Sequence, residues 1–456
     1  MAAAVGTTDT AIAAILQRFK ASMSPMFLAG GARPRAAAPT AATEAIADPA
    51  QIYQRVLAKD EQLHDLAAAL REVPAVAAAY VKPGPEPAIN TMQPLGAPPA
   101  GPNATPDFTP RQDYLGPAPA GIDARYAWTL AGGKGGGVNV VDVEGEWQLT
   151  HEDLLTNNRG VLGGAVPGDP GWRNHGTAVA GVCLGSDNGL GVTGICSGAS
   201  ISMVSIFGAA NRTTSAAIRE AATHLGVGDI LLIELHFPGP SNGFMPNSGQ
   251  LGYIPVEWWP DDYDAIQFAI SRGIIVVEAA GNGAENLDDA LYDTPDTGFP
   301  ANWSNPFRRG ARDSGAILVG AGAPPPGTHG RNLYGPDRSR LDFSNYGAAV
   351  DVQGWGREVT TCGYGDPQGG NEDHWFTDQF SGTSSASPVV VGALSCLQGI
   401  CRASGAPLLT PTTARSHLRA TGSPQQAAPG RPVSQRIGNR PDLKALVAAA
   451  APGATV

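Results

Sequence analysis

GIIVVEAAGNG, residues 273–283, is the stretch on which the fold turns. Ile274 to Val277 is apolar without alternation, which predicts a strand buried on both faces, as in a parallel sheet covered by helices. The run closes on Gly281-Asn282-Gly283, so a side-chain amide stands directly after a strand. The same pattern recurs outward from it in VNVVDV (138–143), SISMVSIF (200–207), DILLIELHF (229–237) and AILVGAG (316–322). Helical segments lie between them, among them SAAIREAATHL (215–225) and DYDAIQFAI (262–270), and PDLKALVAAAA (441–451) reads as a last surface helix. Alternation of this kind predicts a doubly wound α/β domain with a mostly parallel sheet. In such sheets functional groups gather at the carboxyl ends of strands and the amino ends of the helices that follow.

Composition narrows the function. The chain has 456 residues, 42% of them apolar, enough for a large core. Charged residues make up 16% and the net charge is −11, with no basic stripe, so nucleic acid is not an expected partner. No run of about 18 apolar residues is present, and no membrane partner is expected. The opening MAAAVGTTDTAIAAILQRFKASM lacks a basic stretch ahead of its apolar residues, so no signal peptide is recognisable and a cytoplasmic location is favoured over secretion. Five cysteines are scattered without a C-x-x-C pattern and read as small core residues; Cys183 and Cys196, at the two ends of one glycine-rich loop, are the candidate pair for a disulfide.

Two Pro- and Ala-rich stretches, 30–48 and 83–110, bracket a small helix-then-strand module, with AVAAAYV (75–81) as its strand. The expected division is a module over 1–82, a linker over 83–110 and a main domain over 111–456.

Four junctions of the main domain carry reactive side chains: Asp142 in VNVVDV, His175 in NHGTAVAGVCLG (174–185), Asn282 in AAGNG and Ser384 in SGTSSASP (381–388). Each alone is weak, since a lone Asp at a strand end usually caps a turn and a lone His at a helix start usually packs. Together they supply a hydroxyl nucleophile, an imidazole to take its proton, a carboxylate to orient the imidazole and an amide for the oxyanion. Rival motifs fail at single letters. An α/β-hydrolase needs Gly where Ala386 stands, and the zinc pattern beginning at HEDLL (151–155) meets Leu155 where its second ligand belongs.

The order Asp, His, Asn, Ser, with HGTAVAG, AAGNG and SGTSSASP around the last three, resembles the subtilisin-like serine proteases, or subtilases. DFSNYGAAVDVQGWG (342–356) and GPAPAGIDARYAWTLAGGKGGGV (116–138) extend the likeness over about 112–450. The resemblance implies a three-layer fold with a small N-terminal α+β propeptide-like module. It implies a serine endopeptidase acting on peptide or protein substrates, with Ser384 as nucleophile, His175 as base, Asp142 orienting it and Asn282 holding the oxyanion. No cofactor is implied for catalysis. Residues 385–398 are expected as the helix behind Ser384, with Pro388 in its first turn. The module is expected to be an inhibitory propeptide cut by the enzyme itself, or else an accessory domain. Peptide transpeptidation or macrocyclisation, and peptide binding without catalysis, are the alternatives on the same scaffold.

The departures concern specificity. Glu234, Leu235 and His236 stand where the family strand lining the specificity pocket usually reads Ser-Leu-Gly, and Glu278, Ala280 and Gly281 fall on its other wall. Glu234 and Glu278 either bias the pocket toward a basic residue before the cleaved bond or form a buried structural network, the second being preferred. Asp153 and Asn188 fall where the family places ligands of a stabilising calcium, with an ordinary polar loop as the alternative. Val143, Glu144 and Gly145 follow Asp142 where Ser or Thr and then Gly are usual, so the loop beside Asp142 is atypical.

Overall fold

The computed structural model describes residues 3–27, 53–89, 104–209 and 212–455, with 3–9 at the level of the backbone. The linker-like stretch 30–48 lies outside the described residues. The N-terminal module is a helix, Ala3–Phe19, an antiparallel pair β1 (Ser22–Pro25) and β2 (Gln54–Leu57), and a second helix, Leu63–Arg71. Phe19, Leu66 and Leu70 close its small core. Residues 75–81, expected as a strand, join no ladder: the segment opens in a turn, and Ala79 reaches the loop residue Gly298 through a backbone hydrogen bond 3.1 Å long.

The stretch expected as a linker departs most from expectation. Residues 90–103 lie outside the described residues, but both of its ends are anchored to the main domain. β3 (Glu86–Pro87) pairs antiparallel with a strand of that domain, and Phe108 N–H donates to the Gly191 carbonyl at 2.7 Å.

The main domain contains β4 (Asn139–Glu144), β5 (Asn158–Gly163), β6 (Ser200–Ser205), β7 (Ile230–Ile233), β8 (Leu235–Pro238), β9 (Tyr253–Pro255), β10 (Ile275–Ala279), β11 (Ile317–Gly322) and β12 (Val350–Trp355). Seven of these form one parallel sheet in the order β12-β11-β10-β7-β4-β6-β5, while β3, β8 and β9 make a small antiparallel sheet at its end. The five quoted apolar runs thus fall on β4, β6, β7 with β8, β10 and β11. The doubly wound α/β fold holds.

Period-two alternation assigns each strand residue to a layer. Val140, Ile230, Leu232, Ile275 and Val277 face a core shared with the helices Pro170–Leu184, Thr383–Ser404 and Leu443–Ala450. Val141, Val143, Leu231, Ile233 and Val276 face the core of Thr214–Thr223 and Pro260–Ser271. Each such Val, Ile or Leu, fully enclosed, contributes about 1.5–3 kcal/mol relative to exposure. Thr383–Ser404 is long and apolar enough to cross a membrane, but its apolar window is wholly buried in the protein, which accounts for its composition as a core helix.

Candidate active site

Ser384 is the second residue of the helix Thr383–Ser404, which begins two residues before the expected start. Pro388 therefore falls in the second turn, where its missing N–H leaves the Ser384 carbonyl without the usual i→i−4 donor. Gly382, at φ 106°, turns the chain into the helix in a conformation that a side chain would strain. The N–H of Ser384, among the first-turn donors a helix leaves free, donates to the Ala88 carbonyl at 3.2 Å. Ser385 and Ser387 are spent locally, on the Trp355 and Thr383 carbonyls. Ser384 Oγ is buried and has no hydrogen-bond partner.

His175 lies in the helix Pro170–Leu184, capped by Asp169. Gly176 lets that helix rest on the turn after β4: a Cβ there would lie 2.3 Å from the Glu146 carbonyl oxygen and 2.6 Å from the Trp147 ring. The approach aims His175 Nδ1 at Glu144 Oε2, 2.7 Å away, and leaves Nε2 buried with no partner. Phe380 packs edge-on to the imidazole, ring centres 5.8 Å apart.

The partner of His175 is thus Glu144, where Asp142 was expected. Both residues face the same layer, two apart on β4, but Asp142 pairs in mid-sheet with Met203 and Leu232. It is enclosed by Val140, Val179, Cys183 and Ile201, and accepts a 2.8 Å hydrogen bond from Trp147 Nε1. Glu144 is the last residue of the strand, at the carboxyl end where the histidine stands. The signal was in the sequence: an i, i+2 pair of acids shares a face, and the second stands nearer the functional edge.

A third carboxyl, Glu234, joins them on this face beside Ser384 and Ser387. Burial pushes all three acids well up from the ordinary carboxyl range, and their mutual repulsion adds to the rise for Asp142 and Glu234. Burial drives His175 down to about 3.

Asn282 follows β10. Its Oδ1 accepts from the Thr383 N–H at 2.9 Å and from the Thr383 hydroxyl at 3.0 Å, while Nδ2 donates to Gln250 Oε1 at 3.1 Å. His236 shares the face of Glu234 and accepts from the Asn282 N–H, and Gly281 N–H reaches the Thr383 hydroxyl. Leu235 and Ala280 turn their side chains into the opposite core. Glu278 does the same, which corrects its assignment to the substrate wall. It accepts from the Glu257 N–H at 3.2 Å, and Glu257 in turn meets Ser314 and Arg309 in a buried network. Counting by two from Val276 would have placed it there.

Asp153 and Asn188 do meet, but as a hydrogen-bonded loop lock. Asn188 Nδ2 donates to one Asp153 oxygen at 3.0 Å, Val192 N–H to the other at 2.7 Å, and Asn188 Oδ1 accepts from Leu190 N–H. Each Asp153 oxygen accepts one N–H and Asn188 Oδ1 another, so the pair is engaged in holding this loop. Among the described residues no group of three His, Cys, Asp or Glu side chains is placed to hold a metal. The five cysteines are buried free thiols, with Cys196 Sγ directed to the Cys183 carbonyl.

The sequence model of the Subtilase family matches residues 156–439, more than half of the chain. The chain belongs to the subtilase family. It is a serine endopeptidase of the subtilase type. Subtilisin BL of Lederbergia lenta is 26% identical over 255 residues, covering 55% of this chain and 72% of the relative. The Extracellular protease of Xanthomonas campestris pv. campestris is 28% identical over 297 residues, 64% of this chain and 42% of that protein. Among solved structures, a protease of Pseudoalteromonas arctica PAMC 21717 matches with TM-score 0.49 and 23% identity, over 76% of this chain and 99% of that one. The family match begins after β4, so it leaves the choice between Asp142 and Glu144 to geometry.

Proposed function

We propose that the subtilase cuts peptide bonds with Ser384 as nucleophile, His175 as proton carrier and Glu144 as the residue that orients His175. The observation that carries the reading is a peptide carbonyl at the site. Ala88 C=O accepts from the Ser384 N–H, while the Ser384 hydroxyl and His175 Nε2 are both buried and otherwise unpartnered. A carbonyl held there is polarised by a first-turn N–H of a long helix, the arrangement that stabilises a developing oxyanion. Asn282, whose Nδ2 gives one hydrogen to Gln250, is the side-chain amide assigned to the oxyanion in this reading. Glu144 bound to Nδ1 fixes the tautomer that leaves Nε2 free to take the serine proton. Substrate binds as an added antiparallel strand on β8, as β3 does. The N-terminal module, which leads into this strand, makes the full chain a latent form whose first substrate is itself.

The test is intact mass after treatment with a fluorophosphonate, wild type beside Ser384→Ala. An adduct on the wild type alone is expected. Equal labelling of the two proteins, or no adduct on a wild type that has shed its N-terminal module, would remove Ser384 from the nucleophile role.

A further inference from the structure

Residues 86–88 lie in the cleft as a peptide would. Glu86 pairs with His236 and Pro87 with Leu235, and the register brings the next carbonyl, that of the fully buried Ala88, onto the Ser384 N–H. The bond that follows the carbonyl held by the Ser384 N–H is Ala88–Ile89. The Glu86 side chain is not left to solvent: Tyr253 Oη donates to its Oε1 at 2.7 Å, and Gln250 Nε2 reaches Oε2 at 3.3 Å.

Gln250 uses its whole amide here. Nε2 also donates to the Pro87 carbonyl at 2.9 Å, and Oε1 accepts from Asn282 Nδ2. The side chain thus ties the acid, the bound backbone and the oxyanion amide together. Its backbone sits at φ 55°, a left-handed conformation that costs a residue with a side chain, held in the turn that delivers that amide to the cleft. Tyr253 is buried, its ring tilted against His236 with ring centres 4.6 Å apart, so its hydroxyl is held in place for the carboxylate.

We infer that the cleft selects substrates with an acidic residue two positions before the residue whose carbonyl is attacked, read by Tyr253 and Gln250, and that the first bond cut is Ala88–Ile89. The inference rests on the endopeptidase reading above. In that step Ser384 Oγ adds to the Ala88 carbonyl carbon and its proton passes to His175 Nε2. Collapse breaks the C–N bond as His175 protonates the Ile89 nitrogen, and water then hydrolyses the Ala88 ester to a carboxylate, regenerating Ser384. Because Gln250 also holds Asn282, losing the acid lowers kcat as well as raising KM.

The experiment uses the full chain, incubated and followed by intact mass and N-terminal sequencing, then given the peptide Gly-Pro-Glu-Pro-Ala-Ile-Asn-Thr and its Glu→Gln and Glu→Lys forms. The expected new N-terminus is Ile89. The Glu peptide should exceed the Gln peptide by roughly tenfold in kcat/KM, as fits loss of a charge-assisted hydrogen bond, with the Lys form lower still. In Tyr253→Phe the Glu-to-Gln ratio should fall severalfold; the peptide arm varies only the substrate, so it is immune to misfolding. Cleavage at another bond, or equal kcat/KM for the Glu and Gln peptides, overturns the inference. So does a fluorophosphonate-labelled protein whose 88–89 bond stays intact, and that outcome leaves the endopeptidase reading standing. A protein that neither labels nor cleaves defeats both.

Discussion

Glu144 and Asp142 differ by one turn of the pleat, and the difference decides which of them the imidazole meets. A carboxylate orients a histidine only where their heavy atoms come within hydrogen-bond reach, and that condition holds for Glu144 at 2.7 Å. Glu144→Gln should lower kcat roughly 10²- to 10⁴-fold by removing the acceptor that selects the productive tautomer, and should displace the lower limb of the kcat–pH profile. Asp142→Asn should cost under about tenfold, because its contact is the Trp147 indole. Steady-state kinetics of the two variants across pH decide the matter, and the opposite ranking would return the orienting role to Asp142. Ser384, His175 and Asn282 could be singled out in the sequence as candidates because each sits in a motif at a strand or helix end. Glu144 was hidden because the carboxylate was sought at one position, whereas a strand offers two on the same face. Glu278 was misplaced for the complementary reason: nearness in sequence to Asn282 outweighed the alternation that turns it the other way.

At the scale of elements, the helix Pro260–Ser271 does more than cover the sheet. Its first turn carries Asp261 and Asp262, both buried, and Lys82 enters between them with Nζ 2.9 and 2.5 Å from their oxygens and 4.7 Å from the Phe237 ring centre. Tyr80 donates to Asp261 and Tyr53 to Asp264 on the same helix. The acids suit a helix amino terminus, but two of them side by side in a dry seam need a cation. Lys82→Met should therefore cost about 3 kcal/mol, read by denaturant unfolding in a Ser384→Ala background that cannot cut itself. Unchanged stability would mean that the seam is held by its aromatic contacts alone. The alternation of strands and helices was legible because each apolar run fills a sheet buried on both faces. This docking was not, because residues 75–82 join no ladder, and a polar contact between distant segments leaves no periodicity to read. A boundary drawn between 82 and 83 falls directly after the residue that anchors the module.

Across the whole molecule, buried ionisable groups set how stability follows pH. Burial raises Asp153 to about 7, and burial with repulsion from Asp261 raises Asp262 to about 8, against an ordinary 3.8. Such groups are protonated when folded and ionised when unfolded, so their stabilisation is complete below pH about 4 and is lost as pH rises through 7 and 8. His175 and His236, lowered by burial to about 3, and His151, to about 4, act oppositely, since unfolding lets them take up protons below their ordinary 6.5. Above pH 6.5 these three histidines are neutral in both states and fall silent, whereas His329, raised against burial by its Glu358 and Asp378 neighbours, loses stabilisation with rising pH in the same sense as the carboxyls. At about 1.4 kcal/mol per proton and pH unit, Asp153 and Asp262 together remove on the order of 3 kcal/mol between pH 6.5 and 8.5. Full-length Ser384→Ala should accordingly melt several degrees lower at pH 8.5 than at 6.5, and Asp262→Asn, which keeps a neutral group beside Lys82, should flatten about two-thirds of that slope. A melting temperature that holds or rises over the interval would mean that these acids are already ionised in the folded chain, with Lys82 and the Asn188 amide outweighing the cost of burying them.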